Sequence, residues 1–399
     1  MNKKAFIRWQ IKEWLPLFIG FGAVAGLFYW LASYFSAEFY GYGYTSVGVT
    51  TPMYVLMALI FAAAAIFPIA IFSYQTNHIR ADFYDQIPLK NKELRRIRVL
   101  IGIIGLLALF TVIFWIGVLI TYLRQVIFNQ QEYQYFMSQQ NANPADFKPY
   151  YFNYVYYIPF FFVLALGLVA HYFTCVYLAS LGNRVWDSIL YIILGEALLN
   201  FALQSILLPS YVAFSSSNYN SKDPFTDWIQ LSIGFYFFLK VFIRFYGGEI
   251  AWTEGATKPN LYDSSSAAAA FYIGVIGFLL VGAIAAYLML FKKKDPAGEL
   301  AGRPGARNGA IALIPHAVML MLGFLLAAAA QWATMYGGTM VSLFIFVVAL
   351  WATAYFLLLF ASRGTIRFEK KDWIIAAVVA GIVFVLCLSF GIVYANLNR

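Results

Sequence analysis

The chain has 399 residues, of which 62% are hydrophobic, 20% aromatic and only 11% charged. This composition excludes a soluble globular protein and places the chain in a lipid bilayer. A net charge of +9 would suggest nucleic acid as the partner of a soluble protein, but here the basic residues flank apolar stretches. Membrane orientation therefore explains the charge, and no nucleic-acid partner is expected.

Ten apolar stretches follow one another along the chain, each near the roughly 20 residues that cross a hydrocarbon core of about 30 Å. They begin near Leu15, Pro52, Val99, Tyr156, Ser188, Trp228, Phe271, Ala310, Val341 and Trp373. The two cysteines, Cys175 and Cys387, lie inside these stretches, which argues against disulfides and against a thiolate metal site. The sequence thus predicts an all-α polytopic membrane protein.

Residues 1–14 precede the first stretch and are predicted to form an amphipathic cytoplasmic helix. Its apolar face carries Phe6, Ile7, Ile11 and Trp14, and its basic face carries Lys4, Arg8 and Lys12. Such a helix lies at the membrane surface, and the same charges also orient the first span. The apolar run that follows is too long for a signal peptide and lacks a small-residue cleavage site, so a retained anchor is expected.

The loop charges indicate how many stretches cross the membrane. If all ten cross from a cytoplasmic N-terminus, 15 of the 27 Lys and Arg residues lie inside. If residues 228–247 instead enter the membrane and return on the outer side, 20 lie inside and 7 outside, which fits the positive-inside bias better. We therefore predict nine crossings, an outer C-terminus and an outer re-entrant region at 213–268; an ordinary span at 228–247 is the alternative.

Two hydrophilic segments divide the predicted spans. Residues 123–155 are rich in Tyr, Asn and Gln and form the main predicted outer loop, whose aromatic side chains suit the membrane interface; ligand binding is the alternative role. Residues 292–309 form a cytoplasmic linker that contains Pro and Gly. This linker separates a six-span core at 15–291 from a three-span C-terminal region at 310–399.

The densest charge lies in the predicted cytoplasmic segment 80–98, RADFYDQIPLKNKELRRIR. Asp85 suits the first turn of a short helix that Pro88 ends. Asn91 is predicted to cap the next helix, with Glu93 in its first turn. A helix, a break and a helix present a small rigid surface to the cytoplasm, whereas orientation alone would require only a run of basic residues.

This segment resembles the loop between spans two and three of bacterial type-2 ABC exporter permeases, the type V exporter class. That family has a Tyr-x-x-Leu-Pro-Ile-like turn, followed by basic residues and a leucine. The corresponding residues of this chain are Tyr84, Ile87, Pro88, Leu89, Lys90, Lys92 and Leu94. Gln86 stands where the family usually has serine, and Ile87 replaces its usual leucine.

Two further stretches are similar to the long-permease branch of this family. They are YLMLFKKKDPAGELAG, with a basic run and a Glu-x-Ala-Gly element, and SRGTIRFEKKDW, similar to a Lys-Ser-x-Arg-x-Phe element. The matching residues are Glu299, Ala301 and Gly302 in the first stretch and Ser362, Arg367 and Phe368 in the second. The resemblance covers most of the chain. Some relatives continue into an extracellular C-terminal domain, which is not expected here.

The resemblance implies a permease whose cytoplasmic segment docks on a separate ATPase subunit in the bacterial plasma membrane. The residues expected to make this contact are Tyr84, Asp85, Ile87, Pro88, Leu89 and Leu94. It also implies a second permease copy or paralogue, and outer re-entrant helices between spans five and six. ATP and Mg are expected on the partner ATPase, because this chain has no G-x-x-x-x-G-K-[ST] phosphate loop. A loop that only sets the topology is the alternative.

A polar stripe occurs on the fifth predicted span, where Glu196, Asn200 and Gln204 repeat at i, i+4 and i+8. A charge at mid-bilayer costs about 2.5 to 3.5 kcal/mol on insertion scales, so it usually faces protein or water. These residues are candidates for lining a substrate path, with plain interhelical hydrogen bonding as the alternative. His171 and His316 lie on apolar spans and are expected to be packing residues rather than metal ligands.

The predicted function is that of the membrane-spanning permease subunit of an ATP-driven exporter, with no cofactor of its own. No Ser-His-Asp set or Cys-His pair indicates an enzyme. One alternative is an ion-coupled secondary transporter with Glu196 as its ion or proton site, although the internal repeats typical of that class are not evident. The other is a non-transporting scaffold or sensor. Lipids, peptide antibiotics and small amphiphiles all stay open as substrates.

Overall fold

The computed structural model of the chain describes most of its first 214 residues, one later helix and a few residues near the C-terminus. The described residues are 3–35, 38–41, 45–48, 50–76, 86–139, 143–147, 149, 157–214, 265–292, and nine residues between 355 and 381. The predicted re-entrant stretch at 228–247 and the predicted linker after Lys292 lie outside them, as does nearly all of the predicted three-span C-terminal region.

Helices make up most of the described residues. They are α1 (Lys3–Phe35), α2 (Thr50–Phe72), α3 (Asn91–Met137), α4 (Tyr157–Ala179), α5 (Val185–Phe214) and α6 (Ser265–Tyr287), and α6 continues into a single π-helical turn, Leu288–Lys292. A short antiparallel hairpin of β1 (Glu38–Gly41) and β2 (Thr45–Gly48) joins α1 to α2, with Glu38 opposite Gly48. Short 3₁₀ turns occupy Ser73–Thr76 and Pro144–Asp146.

Five of the described helices are long and apolar enough to cross a bilayer. They are α1, α2 from Pro52 onward, α3, α4 and the stretch Val275–Lys292 at the end of α6. They coincide with the first, second, third, fourth and sixth predicted spans, and the chain is a multi-pass membrane protein. The helix α5 has 30 residues and lies where the fifth span is predicted.

The chain divides into two compact units. The first contains Met1–Ile71, Ile87–Val176 and Gly234–Lys294, and the second contains Phe72–Gln86, Tyr177–Ile233 and Asp295–Arg399. The first unit therefore holds α1, α3, α6 and nearly all of α2 and α4, whereas α5 belongs to the second unit.

Helices α1 and α3 run in the same direction and pack closely along their length. Glycines on both helices make this approach possible, because a Cβ atom at Gly22 would overlap Leu109 and one at Gly117 would overlap Tyr29. Near the end of α1, the Trp30 Nε1–H donates to the carbonyl of Ile113 at 3.1 Å. Small residues at such contacts allow helices to pack tightly inside membranes, where apolar burial alone gives little driving force.

The helices α2, α4 and α6 run in the opposite direction. Tyr172, late in α4, donates its hydroxyl hydrogen bond to the carbonyl of Val99, early in α3, at 3.0 Å. Earlier in α4, Phe161 stacks on Phe110 of α3, with ring centroids 5.3 Å apart. Late in α2, Phe67 stacks on Phe18 of α1 at 4.7 Å.

The direction of α6 follows from its two ends. Its final turn contacts the start of α3 through a hydrogen bond from Arg95 to the Met289 carbonyl. Seven residues earlier, Gly282 lies against Ala170 of α4. Ala170 is two residues before Tyr172 on α4, and Tyr172 contacts Gly102 of α3. Gly102 is seven residues beyond Arg95, so Gly282 and Met289 contact different levels of the bundle. Helix α6 therefore descends beside α3 in the same direction as α4.

Two arginine–aromatic pairs join α1 to α3 near the ends of the apolar part of α1. The guanidinium of Arg98 lies 5.3 Å from the ring centroid of Trp14, and that of Arg124 lies 5.4 Å from the ring centroid of Tyr34. At 1.5 Å per residue, Trp14 and Tyr34 are about 30 Å apart along α1, which equals the thickness of a hydrocarbon core. Aromatic and long basic side chains favour the two membrane interfaces, so these pairs mark the two surfaces.

The structure corrects the predicted outer loop at 123–155. Helix α3 has 47 residues and ends at Met137, so the first 15 residues of the predicted loop are helical. At 1.5 Å per residue, the part of α3 beyond Arg124 extends about 20 Å from the membrane surface. The polar composition of this stretch led to the prediction of a loop, but the stretch contains no Gly or Pro before Asn143 that would end the helix. The side chain of Asn143 then caps the turn that begins at Pro144.

The predicted amphipathic helix at 1–14 is the beginning of α1 rather than a separate element. The helix continues through Pro16 to Phe35 without a break. Phe6 and Trp14 of the predicted apolar face are buried within the protein, but the third buried residue of this stretch is Gln10, and Ile11 is exposed. Residues 6, 10 and 14 follow the spacing of four residues that places side chains on one helical face.

Candidate functional site

The described part of the predicted coupling segment, residues 86–98, begins with a tight turn at residues 86–90 and continues into α3. The backbone N–H of Leu89 donates to the carbonyl of Ile87 at 2.7 Å, which closes the turn around Pro88. Pro88 is exposed and Leu89 is partly exposed, so both side chains are accessible at the surface of this chain. The turn thus presents an apolar tip.

The tip is anchored on both sides by buried side chains. Ile87 is 9% exposed and Leu94 is 4% exposed, and both belong to the apolar core. Of the six residues predicted to contact an ATPase, two are therefore accessible and two are buried within this chain. The remaining two, Tyr84 and Asp85, lie outside the described residues.

The helix after the turn begins without the predicted side-chain cap. Lys90 is the N-cap residue, has an extended backbone (φ −63°, ψ 134°) and makes no side-chain cap hydrogen bond. Its carbonyl accepts from the backbone N–H groups of Glu93 at 2.7 Å and Leu94 at 3.1 Å. Asn91, the predicted cap, is the first helical residue, whereas Glu93 does lie in the first turn as predicted, where its charge suits the helix dipole.

Two neighbouring arginines connect the first turns of α3 to the end of α6. Arg95 Nε donates to the carbonyl of Met289 at 3.2 Å, and Arg96 Nε donates to the carbonyl of Leu290 at 2.6 Å. The guanidinium of Arg96 also lies 4.9 Å from the ring centroid of Phe291. Arg95 is only 1% exposed, so this contact is part of the interior.

Both arginines donate to carbonyl groups of the last described turn of α6. Cations are favourable near the C-terminal end of a helix because of the helix dipole. In the sequence, Arg95 and Arg96 were recognised only as charges that set the topology. Their position directly after the predicted coupling turn was the available signal, but the partner carbonyls on α6 are visible only in the fold.

The predicted polar stripe lies on the single helix α5. Glu196 is 2% exposed, so its carboxyl group is enclosed by protein. Asn200 and Gln204 follow on the same helix at the predicted spacing, but their side chains lie outside the described part of the structure. The burial of Glu196 agrees with the expectation that a charged residue in a span faces protein or water.

The connection between α4 and α5 is a compact turn with satisfied polar groups. Ser188 donates its hydroxyl hydrogen bond to the carbonyl of Ala179 at 2.8 Å, and the carboxylate of Asp187 accepts from the backbone N–H of Arg184 at 3.2 Å. A Cβ atom at Gly182 would lie 2.6 Å from the backbone nitrogen of Ser188, so glycine is required by this close approach. The beginning of α5 is therefore fixed firmly to the end of α4.

His171 lies in the later part of α4 and is enclosed by aromatic side chains. Its ring stacks on Phe61 with centroids 4.8 Å apart and lies 6.5 Å from Phe278. The sulfur of Cys175, one helical turn away, is 3.7 Å from His171 Nε2. This Cys–His pair was not predicted, although its spacing of four residues on one helix is visible in the sequence. His316 and Cys387 lie outside the described residues.

A small apolar cavity of about 30 Å³ lies among α1, α2, α3 and α4. Its wall is made of the side chains of Phe21, Ala25, Leu56, Leu59, Ile60, Ala63, Leu106, Leu109, Phe110, Ile113 and Leu168. These side chains offer no hydrogen-bonding group. The cavity is far smaller than a ligand pocket, which typically holds about 300 Å³ or more.

The fold and the turn at 86–90 define a multi-pass membrane protein with an anchored apolar tip between its second and third spans. Comparison of the chain with protein-family models, with curated proteins and with solved structures gave no match. The function must therefore be inferred from the site itself.

Proposed function

We propose that this chain is the membrane-spanning permease subunit of an ATP-driven ABC exporter. It works with a separate ATPase subunit and with a second copy of itself or a paralogue. It lies in a bacterial plasma membrane and consists of six spans with outer re-entrant helices, followed by three further spans. The observation that carries the proposal is the turn at 86–90, with Pro88 and Leu89 accessible and Ile87 buried. An accessible apolar tip on a fixed base suits a contact that must transmit force.

The continuity of α3 supports this role. The turn leads at Asn91 into a helix that runs without interruption to Met137, about 70 Å at 1.5 Å per residue. A partner that moves the tip therefore moves a helix that crosses the whole membrane. A loop that served only to orient the spans would not require buried anchors at Ile87 and Leu94.

The helix directions are compatible with the predicted re-entrant element. Helices α4 and α6 run in the same direction, so an odd number of crossings separates them. Two apolar stretches lie between them, the helix α5 and residues 228–247. If α5 supplies the one crossing, residues 228–247, which lie outside the described residues, do not cross. That topology stays a prediction.

Capture of the partner tests the proposal. The full chain carrying an affinity tag is purified from its native membranes, and co-purifying proteins are identified by mass spectrometry. We expect a phosphate-loop ATPase with the unaltered chain and its loss with Leu89→Asp, because a carboxylate at the tip is costly to bury in an apolar contact. Gln131→Asp, at the exposed outer end of α3, is the matched control and should retain the partner.

Two results would overturn the proposal. One is an unaltered chain that captures no ATPase, and the other is a Leu89→Asp variant that captures as much as the control. Ile87→Asp is a poor choice for this test, since Ile87 is buried and a charge there is expected to unfold the turn.

The burial of Glu196 favours a second candidate function, an ion-coupled secondary transporter. An enclosed carboxyl group in a membrane helix is a common proton or cation site. The discriminating experiment is uptake or efflux by vesicles that contain this chain alone, driven by an ion gradient. Gradient-driven transport that is lost in Glu196→Gln would favour this second function over the first.

A further inference from the structure

We propose that Arg95 and Arg96 are positioning residues that transmit movement of the turn at 86–90 to α6. This inference rests on the proposed function and assigns to it a route within the chain. Helix α3 follows the turn because it is covalently continuous with it, but Met289 of α6 is separated from Arg95 by 194 residues. Helix α6 has no such continuity, and among the described residues Arg95 and Arg96 join its last turn directly to the start of α3.

The two arginines are suited to this task because they fix α6 at two successive residues. One hydrogen bond would leave the end of α6 free to rotate about the contact point. Bonds to the carbonyls of both Met289 and Leu290, with Phe291 beneath the guanidinium of Arg96, define distance and rotation together. Hydrogen bonds with a charged donor are about twice as strong as neutral ones, and the burial of Arg95 excludes competing water.

The form of the helix end supports the same inference. Helix α6 finishes in a π-helical turn at Leu288–Lys292, and π turns within helices are rare and often lie at functional sites. The arginines contact carbonyls of this turn rather than those of the regular helix. Movement of α3 therefore acts on α6 at the point where its backbone geometry already departs from the α-helix.

The contact between the arginines and α6 lies next to the predicted linker at 292–309. Residue Lys292 ends the described part of α6 and begins the predicted linker at 292–309. In the proposed architecture, α6 is the last span of the six-span core. An attachment at this end would carry a movement of the coupling turn to the boundary between the core and the C-terminal region.

Two spin-label positions distinguish transmission through the backbone from transmission through the arginines. Val112 on α3 is 55% exposed and Ile284 on α6 is 57% exposed, so each is replaced in turn by cysteine and labelled. Cys387→Ser is introduced in all variants, and Cys175 is buried. The labelled chain is studied with its co-purified ATPase, with and without a non-hydrolysable ATP analogue, in the parent and in Arg95→Ala/Arg96→Ala.

We expect the nucleotide to change the spectrum of both labels in the parent. In the double variant the label at 112 should still respond, whereas the response at 284 should fall about fivefold or more, the range of a coupling free energy of 1 to 3 kcal/mol. Arg95→Lys/Arg96→Lys should restore part of the response because it keeps the charge. Arg8→Ala/Lys12→Ala removes two exposed cations from α1 and should change neither label.

The outcomes separate the two proposals. An undiminished response at 284 in the alanine double variant overturns this inference and leaves the proposed function intact. A parent chain that captures no ATPase overturns the proposed function and this inference with it. If the alanine double variant fails to fold, Arg95→Lys/Arg96→Lys provides the test. Lysine changes the donor geometry, so a nucleotide response of the label at 284 that equals the parent's also counts against the inference.

Discussion

Single glycines determine how closely α1 and α3 approach each other. Gly22 receives the side chain of Leu109, Gly117 receives the ring of Tyr29, and Gly105 receives the ring of Phe18. Because these contacts lie along most of the shared length of the two helices, they determine the distance between α1 and α3. Glycine is needed here for close approach rather than for unusual backbone angles.

We predict that Gly22→Leu destabilises the folded protein by about 1 to 3 kcal/mol, the usual cost of overpacking. Gly20 lies on the same helix, and a Cβ atom at that residue would have no neighbouring atom within 4 Å, so Gly20→Leu is the matched control. The measurement is the midpoint of thermal unfolding in detergent micelles or lipid nanodiscs. Equal midpoints for the two variants would contradict the packing described for α1 and α3.

The residue scale also shows what the sequence could and could not reveal. The break at Pro88 follows from the local pattern, because proline disfavours a helix that continues through it. The burial of Ile87 and Leu94, and the contacts of Arg95 and Arg96 with α6, depend on residues far away in the chain. No local pattern contains that information.

At the scale of elements, hydropathy located the spans better than their ends. Helix α2 from Pro52 and helix α4 from Tyr157 agree closely with the predicted starts. The prediction failed where a helix continues into water. Hydropathy reports the solvent around a segment rather than its backbone conformation, so the polar end of α3 is predicted as a loop although it is helical to Met137.

The outer part of α3 gives a prediction at this scale. Cysteines placed at Gln131 and Tyr135, both exposed, should react with a membrane-impermeant maleimide added outside intact cells. A cysteine at Val112, between the two arginine–aromatic pairs that mark the membrane surfaces, should not react because hydrocarbon surrounds it. Labelling of 131 and 135 only after the cells are opened would reverse the predicted orientation.

At the scale of the whole molecule, the directions of the helices and the loop charges bear on the topology independently. The charge count favoured nine crossings over ten through the bias of Lys and Arg toward the cytoplasm. The parallel run of α4 and α6 bears on the same question by geometry, because it permits only an odd number of crossings between them. Loop charge and helix direction are different properties of the chain, and both are compatible with nine crossings.

This topology predicts that the segments before and after residues 228–247 face the same compartment. Cysteines at Ser217 and Thr257, which lie outside the described residues, should both be labelled from outside by an impermeant reagent. If 228–247 crosses the membrane, one of the two will be labelled only from the cytoplasm. A cysteine at Lys90, in the turn at 86–90 that is predicted to be cytoplasmic, provides the reference for that side.

The central claim is that the turn at 86–90 contacts an ATPase, and photo-crosslinking from position 89 tests it most directly. A photoreactive amino acid replaces Leu89 in the full chain, the native membranes are irradiated, and the crosslinked product is identified by mass spectrometry; Gln131 carries the same group as control. We predict a crosslink from position 89 to a protein with a phosphate-loop motif, and none from position 131. Crosslinks from position 89 only to lipid, or only to proteins without that motif, would contradict the claim that the turn contacts an ATPase.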